Sequence, residues 1–247
     1  MIPDFQILEM DDLPSQEEEI PDPKVSVIKA TDTYGKFVAE PLKQGYGITL
    51  GNPLRRILYG SLRGTAVTWV KIDGILHEYT TIPHVKEEVS EFLLNVMSIK
   101  LKSSVDRPGK MRLDITGEKE VTAADIMASA DFTVVNPELH LATLDSDEAK
   151  LSVEFNVERG FGYVVASQGD GLPIGVLPID ALYSPTKKVN YKIEKMRIGH
   201  RTDLERLILE VWTDGSVAPI DAVQEAANIL AAQFYIFVNT GLDDSES

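Results

Sequence analysis

Gly45-Tyr-Gly-Ile-Thr-Leu-Gly-Asn-Pro-Leu-Arg-Arg-Ile-Leu-Tyr59 is the stretch on which the organisation of this chain turns. A glycine-loosened loop runs into a short amphipathic helix that carries two adjacent arginines. Thr49 or Asn52 is suited to cap its start, and Pro53 then falls in the first turn, where a missing N–H does no harm. At roughly 100° per residue, Leu50, Leu54, Ile57 and Leu58 share one apolar face. Arg56 lies almost diametrically opposite that face and Arg55 sits on the flank. Read alone, the pattern fits a core helix with a solvated basic side as well as it fits an interaction helix.

On the N-terminal side of this helix, Val25–Ala30 and Tyr34–Glu40 read as strands. After it, Ala66–Ile72 and Ile75–Thr80 alternate around Asp73-Gly74, which predicts a hairpin. Val85, Val89, Phe92, Leu93 and Val96 then follow a helical period behind Pro83. Strand patterns recur at Met111–Thr116, Phe132–Val135, Leu151–Val157 and Tyr163–Ala166, and Gly169, Gly171, Pro173 and Gly175 mark a loop. Val189–Met196 and Leu204–Thr213 are two further strands, the second ending at Asp214-Gly215. The fold class this predicts is α+β with mainly antiparallel sheets.

The final element has the most regular spacing. Ile220, Val223, Ala227, Leu230, Phe234 and Phe237 recur at alternating intervals of three and four behind Pro219, as in a coiled-coil seam. Ala222, Ala226, Ala231 and Ala232 keep the neighbouring positions small, so a second helix can come close. A helix buried in a core would show the same spacing.

Composition narrows the function. The 247 residues, 43% of them hydrophobic, suffice for one large or two modest cores. With no cysteine there can be no disulfide, thiolate metal site or cysteine nucleophile, which suits a reducing cytoplasm. The start lacks the basic and apolar regions of a signal peptide, and no apolar run approaches the ~20 residues of a membrane helix. The net charge of −15 is concentrated at the ends. Residues 1–23 carry eight acids and no base, and with four prolines they read as a disordered acidic arm. Without those acids and Asp243, Asp244 and Glu246, the body retains a charge of only −4. Such a body lacks the concentrated cationic surface that phosphate binding needs, so any action on DNA must pass through partners.

A stand-alone enzyme finds little support. His77, His84, His140 and His200 show no metal-binding spacing. His77 and Glu78, adjacent on an expected strand, would point to opposite faces. Gly45, Gly47 and Gly51 miss the dinucleotide fingerprint by one residue, there is no phosphate loop, and Gly60-Ser-Leu-Arg-Gly64 places its serine too early for a nucleophile elbow. Asp145-Ser-Asp-Glu148 lacks the glycine and distal glutamate of a calcium loop. No aspartate cluster of the kind that holds polymerase magnesium is present. The expectation is no catalytic residue, no metal and no cofactor; a homodimeric interaction module or adaptor stays open.

Further segments point in one direction together with the arginine helix. They are Ile72-Asp-Gly-Ile-Leu-His-Glu-Tyr-Thr-Thr-Ile82, Val121-Thr-Ala-Ala-Asp125, Val157-Glu-Arg-Gly-Phe-Gly-Tyr163, Asp180-Ala-Leu-Tyr-Ser-Pro185, Arg201-Thr-Asp-Leu-Glu205 and Trp212-Thr-Asp-Gly-Ser216. In wording and order they resemble the N-terminal region of the bacterial DNA-directed RNA polymerase alpha subunit, over roughly residues 24 to 240.

The resemblance implies a two-domain scaffold. Residues 24–63 and 189–240 would form a discontinuous dimerisation domain, with 64–188 inserted as a strand-rich domain that meets the large subunits. Residues 241–247 would begin a flexible linker, beyond which the family usually carries a small DNA-binding domain that this chain does not include. The dimer would recruit the beta and beta-prime subunits, which perform the nucleotidyl transfer, in the cytoplasm and at the nucleoid. On this likeness Arg56, with Arg55, His77 and Glu78, would meet beta, and Glu91, Met97 and Ile179 would meet beta-prime. Many relatives have lysine where this chain has Met97, so no electrostatic contact carries over there. Leu50, Leu54, Ile57 and Leu58 with the six seam residues of the last helix would form the dimer interface.

Overall fold

A computed structural model of the chain describes residues 21–166 and 172–238. The acidic arm, apart from its last three residues, lies outside that range, as do Gly169, Gly171 and residues 241–247. In chain order the first elements are β1 (Lys24–Ala30), β2 (Tyr34–Lys43), α1 (Tyr46–Gly60), β3 (Arg63–Ile72) and α2 (Val89–Met97). Seven strands follow: β4 (Leu101–Ser103), β5 (Gly109–Thr116), β6 (Lys119–Thr122), β7 (Phe132–Val134), β8 (His140–Leu144), β9 (Lys150–Phe161) and β10 (Tyr163–Val164). The chain closes with β11 (Val176–Pro178), β12 (Ala181–Leu182), β13 (Thr186–Ile198), β14 (Arg201–Thr213) and α3 (Pro219–Val238).

Two sheets organise these elements, and every strand pairing among the described residues is antiparallel. The first has the order β1-β2-β14-β13, drawing its strands from the two ends of the described chain. Alternate residues of β2, β13 and β14 turn Phe37, Val189, Leu209 and Val211 inward. There they meet Leu58 of α1, Leu62, and Ala222 and Ala226 of α3 in one core. Two small alanines at that contact let α3 lie close. The outer strand β1 is exposed at all seven residues and carries a bulge between Val27 and Lys29.

The second sheet has the order β5-β9-β3-β4-β7, with β11 added to β3. Its core is the larger one. Phe92, Leu93 and Val96 of α2 reach it, together with Met111, Leu113, Leu141, Leu144, Val153 and Phe155.

The chain passes between the two bodies twice, at Ser61–Leu62 and at Tyr183–Pro185. The crossings lie together, because Gly64 of β3 and Gly160 of β9 face one another across the ladder and Tyr183 lies on both. A Cβ at Gly64 would sit 1.6 Å from the Tyr183 carbonyl oxygen, and one at Gly160 would sit 2.6 Å from the Tyr183 ring. Tyr183 and Ser184 both donate backbone N–H bonds to Gly162 O, at 2.9 and 3.1 Å. The Ser184 hydroxyl reaches Tyr59 O at 3.0 Å, and the Tyr59 hydroxyl accepts the Val189 N–H at 2.9 Å.

Three local expectations are corrected. The helix α1 starts at Tyr46 behind an N-cap at Gly45, so neither Thr49 nor Asn52 caps it and Pro53 lies in its interior. The hairpin at Asp73-Gly74 does not form. The turn is there, with Gly74 at φ 77° and Ile75 N–H bonded to Ile72 O, but β3 is already paired with β9 on one edge and with β4 and β11 on the other. Ile75–Thr80 therefore has no free edge to join. Finally, α2 begins at Val89, and Val85 instead bridges to Leu144 as a short strand contact.

Candidate interaction surface on the helix layer

α1 turns towards the sheet a stripe different from the one its large side chains suggest. Gly47, Gly51 and Leu58 are buried and Leu54 is half-buried, a spacing of four, seven and eleven from the first. The two glycines permit contact with Ile193, Tyr191 and Leu207 so close that an added Cβ would stand 2.8–3.1 Å from its neighbours. Leu50 and Ile57 lie on one flank of that stripe; Leu50 is exposed and Ile57 packs partly against the core. Leu58, also expected at an interface, is wholly buried inside the protomer.

The opposite flank carries the arginines. Arg55 lies over the Tyr191 ring, 5.3 Å from its centroid, with a long contact of 3.5 Å to Asn52 Oδ1. Arg56 is exposed and makes no hydrogen bond or ion pair with any described residue. A guanidinium without a partner is a ready donor for a carboxylate, which it can grip with two parallel N–H bonds.

α3 is divided along its length. Pro219, Ala222 and Ala226 are buried, and Val223 and Ile229 complete the side facing the sheet. Of the expected seam, Ile220 and Ala227 are exposed while Val223 and Leu230 are half-buried. Beyond Leu230 the helix outruns its own core. Residues 231–238 are all exposed, with Phe234 at 60% and Phe237 at 76% of their free area. Exposed aromatics in such a row are unusual on a solvated surface and mark a site of contact.

The remaining expected residues belong to the second body. His77 and Glu78 lie in an irregular stretch, not on a strand, with His77 exposed. The Glu78 carboxylate accepts the Tyr79 hydroxyl and raises its pKa above the usual value. On α2, Glu91 is exposed and Met97 is half-buried against the core. Ile179 is buried in that core with its N–H bonded to Thr68 O.

Composition and motifs gave no sign of Glu87, the best-defined polar group of the second body. Only 8% exposed, its carboxylate accepts the Thr143 N–H at 2.6 Å, the Thr143 hydroxyl at 3.0 Å and His140 Nε2 at 2.9 Å. Burial alone would push its pKa up, but these donors together outweigh burial and hold it below the usual carboxylate range. The bonds strap the segment before α2 onto β8. Because the folded pKa is depressed, the stabilisation is present above pH 4.5, the ordinary value, and is lost as pH falls through the folded pKa. Glu87→Gln should therefore cost about 1.5–3 kcal/mol at neutral pH. The gap from the parent should close in urea melts on the acid side; a gap constant from pH 7 to 3 would disprove this account.

Among the described residues no cluster of His, Asp or Glu is placed to hold a metal, and no helix is long and apolar enough to cross a membrane. The chemistry offered by the helix layer is that of docking: apolar rows, small residues and an uncommitted arginine.

Comparison with known proteins identifies relatives over most of the chain. Residues 70–184 match the family described as the RNA polymerase Rpb3/RpoA insert domain. A curated relative from Roseiflexus sp. (strain RS-1), named DNA-directed RNA polymerase subunit alpha, is 49% identical over 208 residues, covering 84% of this chain and 64% of that protein. The protein of the same name from Dehalococcoides mccartyi (strain CBDB1) is 50% identical over 217 residues, 88% of this chain and 66% of the relative. That of Symbiobacterium thermophilum is 49% identical over 228 residues, 91% of this chain and 72% of the relative. The chain thus spans about two thirds of the length of these relatives, and slightly less for the first two.

Proposed function

The chain belongs to the bacterial DNA-directed RNA polymerase alpha-subunit family, and on that premise we propose that it is the scaffold on which the polymerase is assembled. Two copies join through α3 and the Leu50–Ile57 flank of α1, and the dimer then takes up the beta and beta-prime subunits. The observation that carries this reading is the end of α3, where residues 231–238 have no core of their own to cover them. A second copy related by a two-fold axis would bring the same row against itself.

Within this reading, residues 24–63 with 189–240 form the dimerisation domain and 64–188 the insert that faces the large subunits. Beta meets Arg56 with Arg55, and His77 and Glu78 extend that contact. Glu91 and Met97 serve beta-prime. The chain itself is non-catalytic, works in the cytoplasm and reaches DNA only through the complex. Membership of the family displaces an unrelated adaptor as the alternative.

Arg56 provides the test, because assembly and folding separate there. Its side chain is exposed and unpaired among the described residues, so Arg56→Ala should change stability by less than ~0.5 kcal/mol. A desolvated charged contact to beta would instead lose about 2–5 kcal/mol of binding. That amounts to roughly 30-fold to several-thousand-fold in affinity. Purified Arg56→Ala should stay dimeric with an unchanged melting temperature and fail to hold beta in a titration. Arg56→Lys should recover only part of the binding, since an ammonium cannot reproduce the planar fork. Normal uptake of beta by Arg56→Ala would remove the assigned role.

A further inference from the structure

α1 begins without a cap of its own. Gly45 at the N-cap adopts a left-handed conformation, no side chain of the helix accepts an N–H bond there, and the first turn holds no acid. The free N–H groups and the positive end of the helix dipole are therefore unmet within the element. Two of those N–H groups are met from β14. One carboxylate oxygen of Glu205 accepts the Gly45 N–H at 3.0 Å, and the other accepts the Gly47 N–H at 2.9 Å.

Pro53 makes this tie consequential. It has no N–H to give the Thr49 carbonyl four residues earlier, so one rung between the two halves of the helix is missing. The second half is fixed by the burial of Leu58. The first half rests on Glu205 and on the close seating of Gly47 and Gly51. At 100° per residue Ile48, Asn52, Arg55, Arg56 and Tyr59 fall along one outward flank, and Ile48 and Tyr59 are exposed along it. That flank spans both halves of the helix.

We propose that Glu205 is a positioning residue for this flank: its carboxylate fixes where α1 begins, and thereby how the flank meets an incoming beta subunit. The proposal rests on the docking role given to α1 above. Glu205 touches no partner in it and acts only through the helix.

The test uses the full chain as a dimer at tens of micromolar, titrated with purified beta subunit. Glu205→Ala should weaken beta uptake by about 5- to 30-fold. Amide exchange at Gly45 and Gly47 should speed up by about tenfold or more while the sheet amides stay protected. Glu205→Gln keeps the length and one acceptor, so it should fall between Ala and the parent in both measurements. Beta uptake within twofold of the parent for Glu205→Ala overturns the proposal. So does a loss of uptake that merely follows dissociation of the dimer. Should Glu205→Ala fail to fold, Glu205→Gln decides the matter: faster exchange at the two glycines with unchanged uptake overturns it. Arg56→Ala run in parallel separates the two ideas. If that variant takes up beta normally, the docking role of α1 fails, whereas a Glu205 result alone leaves it standing.

Discussion

Phe234→Asp should turn the dimer into a monomer at micromolar concentration without harming the fold of the protomer. The reasoning depends on where the ring stands. Phe234 is 60% exposed in the protomer and lies past the end of the core stripe of α3, so an aspartate there meets water and costs the isolated chain little. In a two-fold contact the change counts twice. Each lost aromatic burial amounts to about 1.5–3 kcal/mol. Each carboxylate trapped without a partner adds several kcal/mol more. The sum exceeds about 6 kcal/mol, more than ten-thousand-fold in the dissociation constant. Leu230→Asp would report less cleanly, because Leu230 is half-buried within the protomer and its loss mixes folding with association. Sedimentation velocity with circular dichroism on the same sample decides: a dimeric Phe234→Asp places the interface elsewhere, and an unfolded one refutes the claim that this turn is free of the core.

Gly64→Ala should be the most damaging added methyl group among the described glycines. The added carbon would stand 1.6 Å from the Tyr183 carbonyl oxygen, and that atom belongs to the backbone that returns the chain to the first sheet. A side chain can rotate away; this strand crossing cannot, since Tyr183 and Ser184 are both bonded to Gly162 O. Ordinary overpacking costs about 1–3 kcal/mol. With backbone as the obstacle the expected loss is about 4 kcal/mol or more, in the range reserved for severe lesions. At ~2–4 °C per kcal/mol for a protein of this size, the melting temperature should drop by roughly 10 °C or more. Gly117→Ala is the control. Its φ of 84° makes any side chain uncomfortable, but nothing lies within 4 Å. It should cost about 1 kcal/mol. Equal melting temperatures for the two variants would mean that the crossing yields easily.

Those two positions show what a single sequence does and does not disclose. The three-and-four spacing of Ile220 to Phe237 located the helix α3, because a helical period is a property of neighbours along the chain, but it did not tell the half-buried Val223 and Leu230 from the exposed Phe234 and Phe237. The same reasoning misread α1. Its wheel was drawn on large apolar residues, which made Leu50 and Leu58 equivalent, whereas the sheet-facing stripe runs through Gly47 and Gly51. Glycine adds no weight to a hydrophobic wheel, yet its absent side chain is what lets the helix settle against Tyr191 and Ile193. The hairpin expected at Asp73-Gly74 failed for another reason: the local turn formed, but strands remote in sequence had already taken both edges of β3. Glu205, Glu87 and the Gly64–Tyr183 contact could not be found by spacing at all. Their partners lie 158, 56 and more than one hundred residues away, and only the fold brings them together.

The bulged outer strand β1 has a consequence beyond the protomer. A sheet with free edges can recruit further strands without limit, which is how cross-β fibres grow. Here one edge is β1, with Lys24, Lys29 and a break in register at its middle. The other is β13, studded with Lys187, Lys188, Lys192 and Lys195. Charge and irregularity thus guard both ends of the sheet, while the helix layer across its face stays open. If copies of this chain join through their helices as proposed above, the contact closes after two molecules, and fibre growth by strand addition is starved at its first step.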